Sequence, residues 1–301
     1  MSFDAEKATT DWEKDNIILG IDEAGRGPVM GPMVYACAYW KEEYDENIRK
    51  KFKFNDSKAL KPEEREKMFE QIKSHPNIIR YELIVLPSDY ISKEMLKRQK
   101  VSLNQISQDS AKSLIKTAID KKVNVRKIFV DTVGPAGSYQ TLLKNSLEDR
   151  TIEVTVEPKA DAKYECVSAA SIVAKVTRDK NIEIIEKEDK DCGSGYPSDP
   201  KTKEWLKDNY DNIFGFGREV RFSWKTVENM FKENNNKCEW EDYDSDEENE
   251  KYKKFKKDKG KENDENKNFK IDDIWVKKEN KKKNVVRSFY EKNNIDFNVD
   301  L

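Results

Sequence analysis

Ile17-Ile18-Leu19-Gly20-Ile21-Asp22-Glu23-Ala24-Gly25-Arg26-Gly27-Pro28 decides the fold. The apolar run that ends in two acids reads as a buried strand. The glycines and proline after it read as a turn. Ligands of open α/β sheets bind at strand ends of this kind. Adjacent strand residues point to opposite faces, so Asp22 and Glu23 are expected to share a site only if the strand breaks there.

Working outward, residues 33–40 read as a second strand, and residues 78–86 as a third, stopped by Pro87. Ser102-x-x-Gln105 is a capping-box pattern. Ala111, Leu114, Ile115, Ala118 and Ile119 then recur at helical spacing, predicting a helix that ends near Lys121. Residues 127–130 form a continuous apolar strand ending at Asp131, and residues 151–157 alternate as a half-exposed strand closed by Pro158. Residues 167–176 (VSAASIVAKV) are apolar and small, which predicts a helix lying close on the sheet. Asp199-Pro200 reads as an N-cap with proline in the first turn, after the loop Gly193-Ser194-Gly195-Tyr196-Pro197-Ser198. A last helix is expected at about 224–231. The order predicts an α/β fold with a mixed sheet.

The 301 residues carry 57 Lys+Arg against 59 Asp+Glu, a net charge of -2. Residues 239–301 hold 16 basic and 18 acidic residues, leaving 41 of each before them. Bulk charge therefore does not announce nucleic-acid binding, and any binding face must be local. His75 is the sole histidine, so histidine zinc sites and histidine triads are nearly excluded; it reads as a turn residue. Cys37, Cys166, Cys192 and Cys238 show no CxxC spacing and read as small core residues in a reducing, intracellular compartment. The acidic N-terminus is not a signal sequence, and the apolar stretch 29–40 contains Gly31 and Pro32 and is too short to span a bilayer. The lysine runs 253–261 and 277–283 resemble nuclear-import signals, although such runs are usually solvated tail.

Carboxylates, lysines, arginines and tyrosines remain for chemistry. Asp22, Glu23, Asp131 and Asp161 stand where solvated acids would be odd. Each alone reads more simply as a turn cap or as half of an ion pair, Asp161 with Lys159 or Lys163. Together they converge if the first and fourth strands are neighbours. Converging carboxylates repel, and burial adds to the cost of their charge. Hard divalent cations bound by oxygen, Mg²⁺ or Mn²⁺, resolve this. Two such ions about 4 Å apart suit phosphodiester displacement without histidine.

Gly20-Ile21-Asp22-Glu23-Ala24-Gly25-Arg26-Gly27-Pro28 resembles the opening motif of the type 2 ribonuclease H family. Asp56-Ser57-Lys58-Ala59-Leu60, Val130-Asp131-Thr132-Val133-Gly134, Lys159-Ala160-Asp161-Ala162-Lys163-Tyr164, the helix 167–179, the loop 193–200 and Val220-Arg221-Phe222-Ser223-Trp224 continue the resemblance in order, over about residues 17–230. Within the family the chain looks most like the catalytic subunits of the eukaryotic ribonuclease H2 complexes. Glu165 and Gly217 depart from the pattern, standing where proline is usual.

The resemblance implies an RNase H-like α/β fold: a central mixed five-stranded sheet flanked by helices, a C-terminal helical part and a charged tail. It implies an endoribonuclease that hydrolyses RNA in RNA–DNA hybrids and incises 5′ of single ribonucleotides in duplex DNA, leaving 3′-OH and 5′-phosphate ends. The implied setting is nuclear DNA replication and repair, with two accessory subunits. By motif, Asp22, Glu23, Asp131 and Asp161 would be catalytic metal ligands for Mg²⁺ or Mn²⁺, two ions in all. Gly25, Arg26 and Gly27 would sense the 2′-OH through backbone groups, and Tyr196 would stack on the neighbouring sugar. Lys58 and Arg178 would support phosphate binding, though Arg178 reads equally as a partner of Asp179. The expected organisation is an N-terminal tail over 1–14, a catalytic domain over 15–235, and a mostly disordered or partner-docking tail over 236–301. Within that tail, residues 283–290 (KNVVRSFY) resemble a degenerate sliding-clamp motif. The alternatives are a non-catalytic component on the same fold, binding hybrids or scaffolding, against which the complete acid set argues, and another RNase H-like nuclease or recombinase.

Overall fold

The computed structural model describes residues 3–54, 61–189 and 192–234, excepting the side chains of 186–189. Lys58, Cys238, the tail 236–301 and the segment 283–290 lie outside these residues. Five strands form one sheet in the order β3-β2-β1-β4-β5: β1 Ile17–Ala24, β2 Met33–Lys41, β3 Arg80–Leu86, β4 Val125–Asp131 and β5 Glu153–Glu157. β1 runs antiparallel to β2 and parallel to β4, so the sheet is mixed and the first and fourth strands are neighbours.

Each sheet face has its own cover. The helices are α1 Asp45–Phe52, α2 Pro62–Ser74, α3 Ser88–Leu96, α4 Leu103–Asp120, α5 Ala136–Ser146, α6 Glu165–Asp189, α7 Pro200–Asp208 and α8 Lys225–Glu233. Ile18 and Ala24 of β1 and Val34, Ala36, Ala38 and Trp40 of β2 share one core with Val167, Ala170 and Ala174 of α6. The alternate residues Ile17, Leu19, Ile21, Met33, Tyr35 and Tyr39 form another with Leu114 and Ala118 of α4 and with Tyr139 and Leu143 of α5. This is strand alternation between two apolar layers. A third cluster joins Val29 and Met30 to Trp205, Leu206, Val220 and Val227, folding α7 and α8 onto the loop after β1.

The small residues of α6 permit a close approach. A Cβ on Gly20 would stand 2.3 Å from the backbone of Cys166 and Val167. Glu165 is wholly buried at the start of α6, accepts the Phe54 N–H at 2.5 Å and pairs with Arg49 at 3.6 Å. The expected caps are present: Ser102 Oγ accepts the Gln105 N–H at 3.1 Å, and Asp199 accepts the Lys201 N–H at 3.0 Å.

Two expectations need amendment. Residues 3–14, expected as part of a tail, pack on the domain: Ala5 is buried, and Trp12 meets Tyr39 edge-on at 5.6 Å with Arg80 over its ring. Strand β1 does not break at Asp22-Glu23. It stays paired with β2 through Ala24 opposite Val34. Among the described residues, no helix is long and apolar enough to cross a membrane.

Gly20→Ala drives a methyl group into helix backbone that cannot rotate away. Overpacking of this kind costs about 1–3 kcal/mol, and backbone contact places Gly20 at the upper end. Denaturant melting should show a loss of at least about 2 kcal/mol; an unchanged midpoint would contradict the close β1–α6 contact.

Candidate active site

The acids gather at one end of the sheet, on both of its faces. Asp22 leaves β1 on the α6 side and is buried. Its carboxyl is pushed up to about 7, mainly by burial, opposed by Ser171 of α6 and reinforced by Asp131 and then Asp161. Glu23 leaves β1 on the α4–α5 side, directly across from Tyr35. Burial, then Asp22, push it up to about 8, Arg26 opposes, and Asp131 adds to the rise. Asp131 therefore acts on both acids. Register explains this: Ile21 pairs with Val130, so the acids that follow each lie at adjoining strand ends.

Asp161 sits in a short 3-10 turn, Ala160–Ala162, and is buried. Asp131 Oδ1 accepts the Ala160 N–H at 2.9 Å, and Ser168 Oγ donates to the Asp161 carbonyl at 2.5 Å. The turn is thus fastened to β4 on one side and to α6 on the other. Of the two lysines that could pair with Asp161, Lys159 and Lys163, Lys163 bonds Glu157.

Among the described residues, no three or more His, Cys, Asp or Glu side chains stand together as they lie so as to hold a metal ion. One oxygen of Asp22 and one of Asp131 accept backbone N–H groups instead. The donor chemistry nevertheless fits a divalent cation. The two β1 acids are raised by burial and by neighbouring carboxylates, and a hard cation relieves both causes. Asp22, Glu23, Asp131 and Asp161 are the residues that would hold it. His75 has no part here; it bonds Ser74 and Gln71 and faces Glu6.

Beside the acids lies the loop Gly25-Arg26-Gly27. Gly25 has φ +79°, and a Cβ there would meet the Pro32 carbonyl at 2.5 Å, so glycine is required. Arg221 holds this loop, a role the sequence reading did not assign. It is wholly buried and donates to the carbonyls of Gly25 (2.6 Å), Arg26 (3.1 Å) and Gly31 (3.0 and 2.8 Å). Trp224 lies against its guanidinium, 4.7 Å from the ring centre, and donates from Nε1 to the Gly27 carbonyl at 3.0 Å. Burial, then Arg178, push Arg221 down to about 9. In a planar trans peptide the N–H points opposite to the C=O. Pinning the Gly25 and Arg26 carbonyls therefore aims the Arg26 and Gly27 N–H groups away from Arg221. The available signal was a lone cation between apolar residues in Val220-Arg221-Phe222.

Tyr196 meets this loop. A Cβ on Gly27 would lie 3.4 Å from its ring, and the ring is 41% exposed, leaving a face for a ligand. Arg178 stands 5.5 Å from the ring centre. Arg178 is buried, and its Nη atoms bond the Ser194 carbonyl at 2.7 Å and Asp179 at 3.3 Å. In this geometry it braces the Tyr196 loop. Gly195 fastens that loop to the β1 side, its carbonyl accepting the Val29 N–H at 2.8 Å.

A family model described as ribonuclease HII matches residues 19–227. The chain is 46% identical over 235 residues to a ribonuclease H2 subunit of Bos taurus, covering 76% of this chain and 78% of that one. The ribonuclease H2 structure from Pyrococcus horikoshii superposes with a TM-score of 0.63 at 36% identity, covering 73% of this chain and 99% of that one. The ribonuclease HII solved in complex with PCNA, from Archaeoglobus fulgidus, gives 0.59 at 32% identity, covering 69% and 95%.

Two outcomes follow from this geometry. Arg221→Gln shortens the fork and strands buried carbonyls, so stability should fall by about 2–4 kcal/mol in denaturant melts; a wild-type midpoint would show that the loop holds itself. Asp131→Asn keeps the shape but removes a negative ligand. Single-turnover cleavage of a hybrid should fall by orders of magnitude while hybrid binding persists; wild-type rates would remove Asp131 from the chemistry.

Proposed function

The chain belongs to the ribonuclease HII family, and from that premise we propose that this ribonuclease H incises 5′ of single ribonucleotides in duplex DNA as well as cutting RNA in RNA–DNA hybrids. The observation that carries this reading is the convergence of Tyr196 on the loop whose carbonyls Arg221 and Trp224 secure. The Arg26 and Gly27 N–H groups then offer fixed donors to a 2′-OH, which both donates and accepts. Tyr196 offers its open face to the adjoining sugar. A site built around a hydroxyl leaves its own polar groups unmatched when the hydroxyl is missing, which can discriminate by about 10⁴-fold.

Asp22, Glu23, Asp131 and Asp161 are the proposed ligands. When bound, two Mg²⁺ or Mn²⁺ ions would stabilise the attacking and leaving oxygens, giving 3′-OH and 5′-phosphate ends. The chain's own residues set the register: the loop and Tyr196 select the sugar, and Asp22 and Glu23 lie next to that loop on β1. Lys58 and Arg178 are assigned to phosphate support, Arg178 acting through the Tyr196 loop. The proposed setting is ribonucleotide and primer removal during replication and repair, in the nucleus. Resemblance to catalytic subunits supports two accessory subunits as partners, with residues 236–301 as a docking tail. The archaeal complex with PCNA supports a sliding clamp as a further partner, and the motif resemblance of residues 283–290 is the reason to assign the contact to that segment.

Tyr196→Ala removes the stack but none of the acids. Its kcat/KM should fall far more on a duplex with one ribonucleotide than on a long hybrid, where several registers present a 2′-OH. Both substrates are compared at fixed salt and Mg²⁺. Equal losses would make Tyr196 a general binding or folding residue, and an inactive wild type on the single-ribonucleotide duplex would overturn the substrate assignment.

A further inference from the structure

Glu23 differs from the other three acids in its surroundings. It projects to the α4–α5 side, where its cross-strand neighbour is Tyr35. Tyr35 and Tyr139 of α5 are each 1% exposed. Neither phenol oxygen closes a hydrogen bond of good geometry, and both are buried. Tyr35 lies directly across from Glu23 and its phenol favours the Glu23 carboxylate while also meeting Ser107, and Tyr139 shares its core cluster. Burial and then the Glu23 charge push each phenol up, while Arg26 acts in the opposite sense.

A buried hydroxyl without a well-formed hydrogen bond is costly, and such groups ask for an explanation. Phenylalanine would fill both places without that cost. Packing alone does not account for two buried phenols in the cluster that surrounds one carboxylate.

Arg26 belongs to the same cluster. Its guanidinium donates to Asn104 and Ser107, three residues apart on one face of α4. Its charge is thereby held on the helix beside Glu23, which it favours in the ionised form. The planar fork suits this two-point docking in a way lysine does not.

We propose that Tyr35, Tyr139 and the α4-docked Arg26 are positioning residues for Glu23, the phenols serving as hydrogen-bond donors that fix its carboxylate for a divalent cation. The proposal rests on the reading of Glu23 as a cation ligand. It divides the site's support in two: Ser171 and α6 serve Asp22, and α4 with α5 serves Glu23. Hydrogen-bonding partners of metal ligands commonly change affinity by 10–100-fold when removed.

The test uses the full chain, with Mn²⁺ as probe and no nucleic acid. Binding is followed by calorimetry and by the Mn²⁺ electron paramagnetic resonance signal for wild type, Tyr35→Phe, Tyr139→Phe and the double variant. The rings stay in place, so thermal melting should be unchanged or slightly raised. The double variant should bind Mn²⁺ about 10-fold more weakly. On a Glu23→Gln background, Tyr35→Phe should add no further loss, because its effect runs through Glu23. Wild-type Mn²⁺ affinity in the double variant would overturn the proposal. So would an affinity loss that only tracks a lowered melting temperature, or one that persists undiminished on the Glu23→Gln background. A wild-type chain that binds no Mn²⁺ would instead overturn the ligand assignment beneath it.

Discussion

Like charges forced together at the end of a parallel strand pair are the constraint from which the site follows. β1 and β4 lie side by side with their acids in step, and burial raises the cost of charge on Asp22 and Glu23. Among the described residues, no lysine or arginine is salt-bridged to Asp22. The fold distributes the load: Asp22 on the α6 face with Ser171, Glu23 on the opposite face with Arg26, and Asp131 between them with one oxygen on the Ala160 N–H. What remains is a demand for positive charge at the strand ends, which a hard divalent cation meets.

The arginines nearby are docked on other protein groups, and Arg26 also bears on Glu23. Arg221 is spent on backbone carbonyls, Arg26 on α4, and Arg178 on Ser194 and Asp179. Each holds a loop that borders the acids. Cationic side chains therefore shape the loops that stand beside the carboxylates. The third core cluster makes this possible, because α7 and α8 must fold back for Arg221 and Trp224 to reach the loop after β1.

Much of this was legible in the sequence, for physical reasons. The buried strand, the apolar β4, the Ser102 and Asp199 caps and the small-residue helix all carry local signals that tertiary contacts reinforce. Helices α1 and α2 did not stand out, because DENIRKKF and PEEREKMFEQIKS are mostly charged and bury only Ile48 and Phe52, or Phe69 and Ile72. α5 is short and opens on Ala136-Gly137-Ser138. Residues 3–14 looked like a tail since a few scattered apolar residues, Phe3, Ala5, Ala8 and Trp12, anchor an otherwise polar segment. The continuity of β1 was the deepest miss. Alternation implied that two adjacent acids could not share a site within a strand, yet at a sheet end the faces meet, and Asp131 reaches both. Arg221 was hidden because its partners are carbonyls of a segment 190 or more residues earlier.

The most direct test of a site that straddles the sheet end is anomalous diffraction from crystals grown with Mn²⁺ and an uncleavable RNA–DNA hybrid. The account predicts Mn²⁺ peaks at the ends of β1 and β4, contacted by Asp22 from one face and by Glu23 from the other, with Asp131 in common. Peaks bound by acids of one face alone, with Glu23 turned away toward α4, would contradict it.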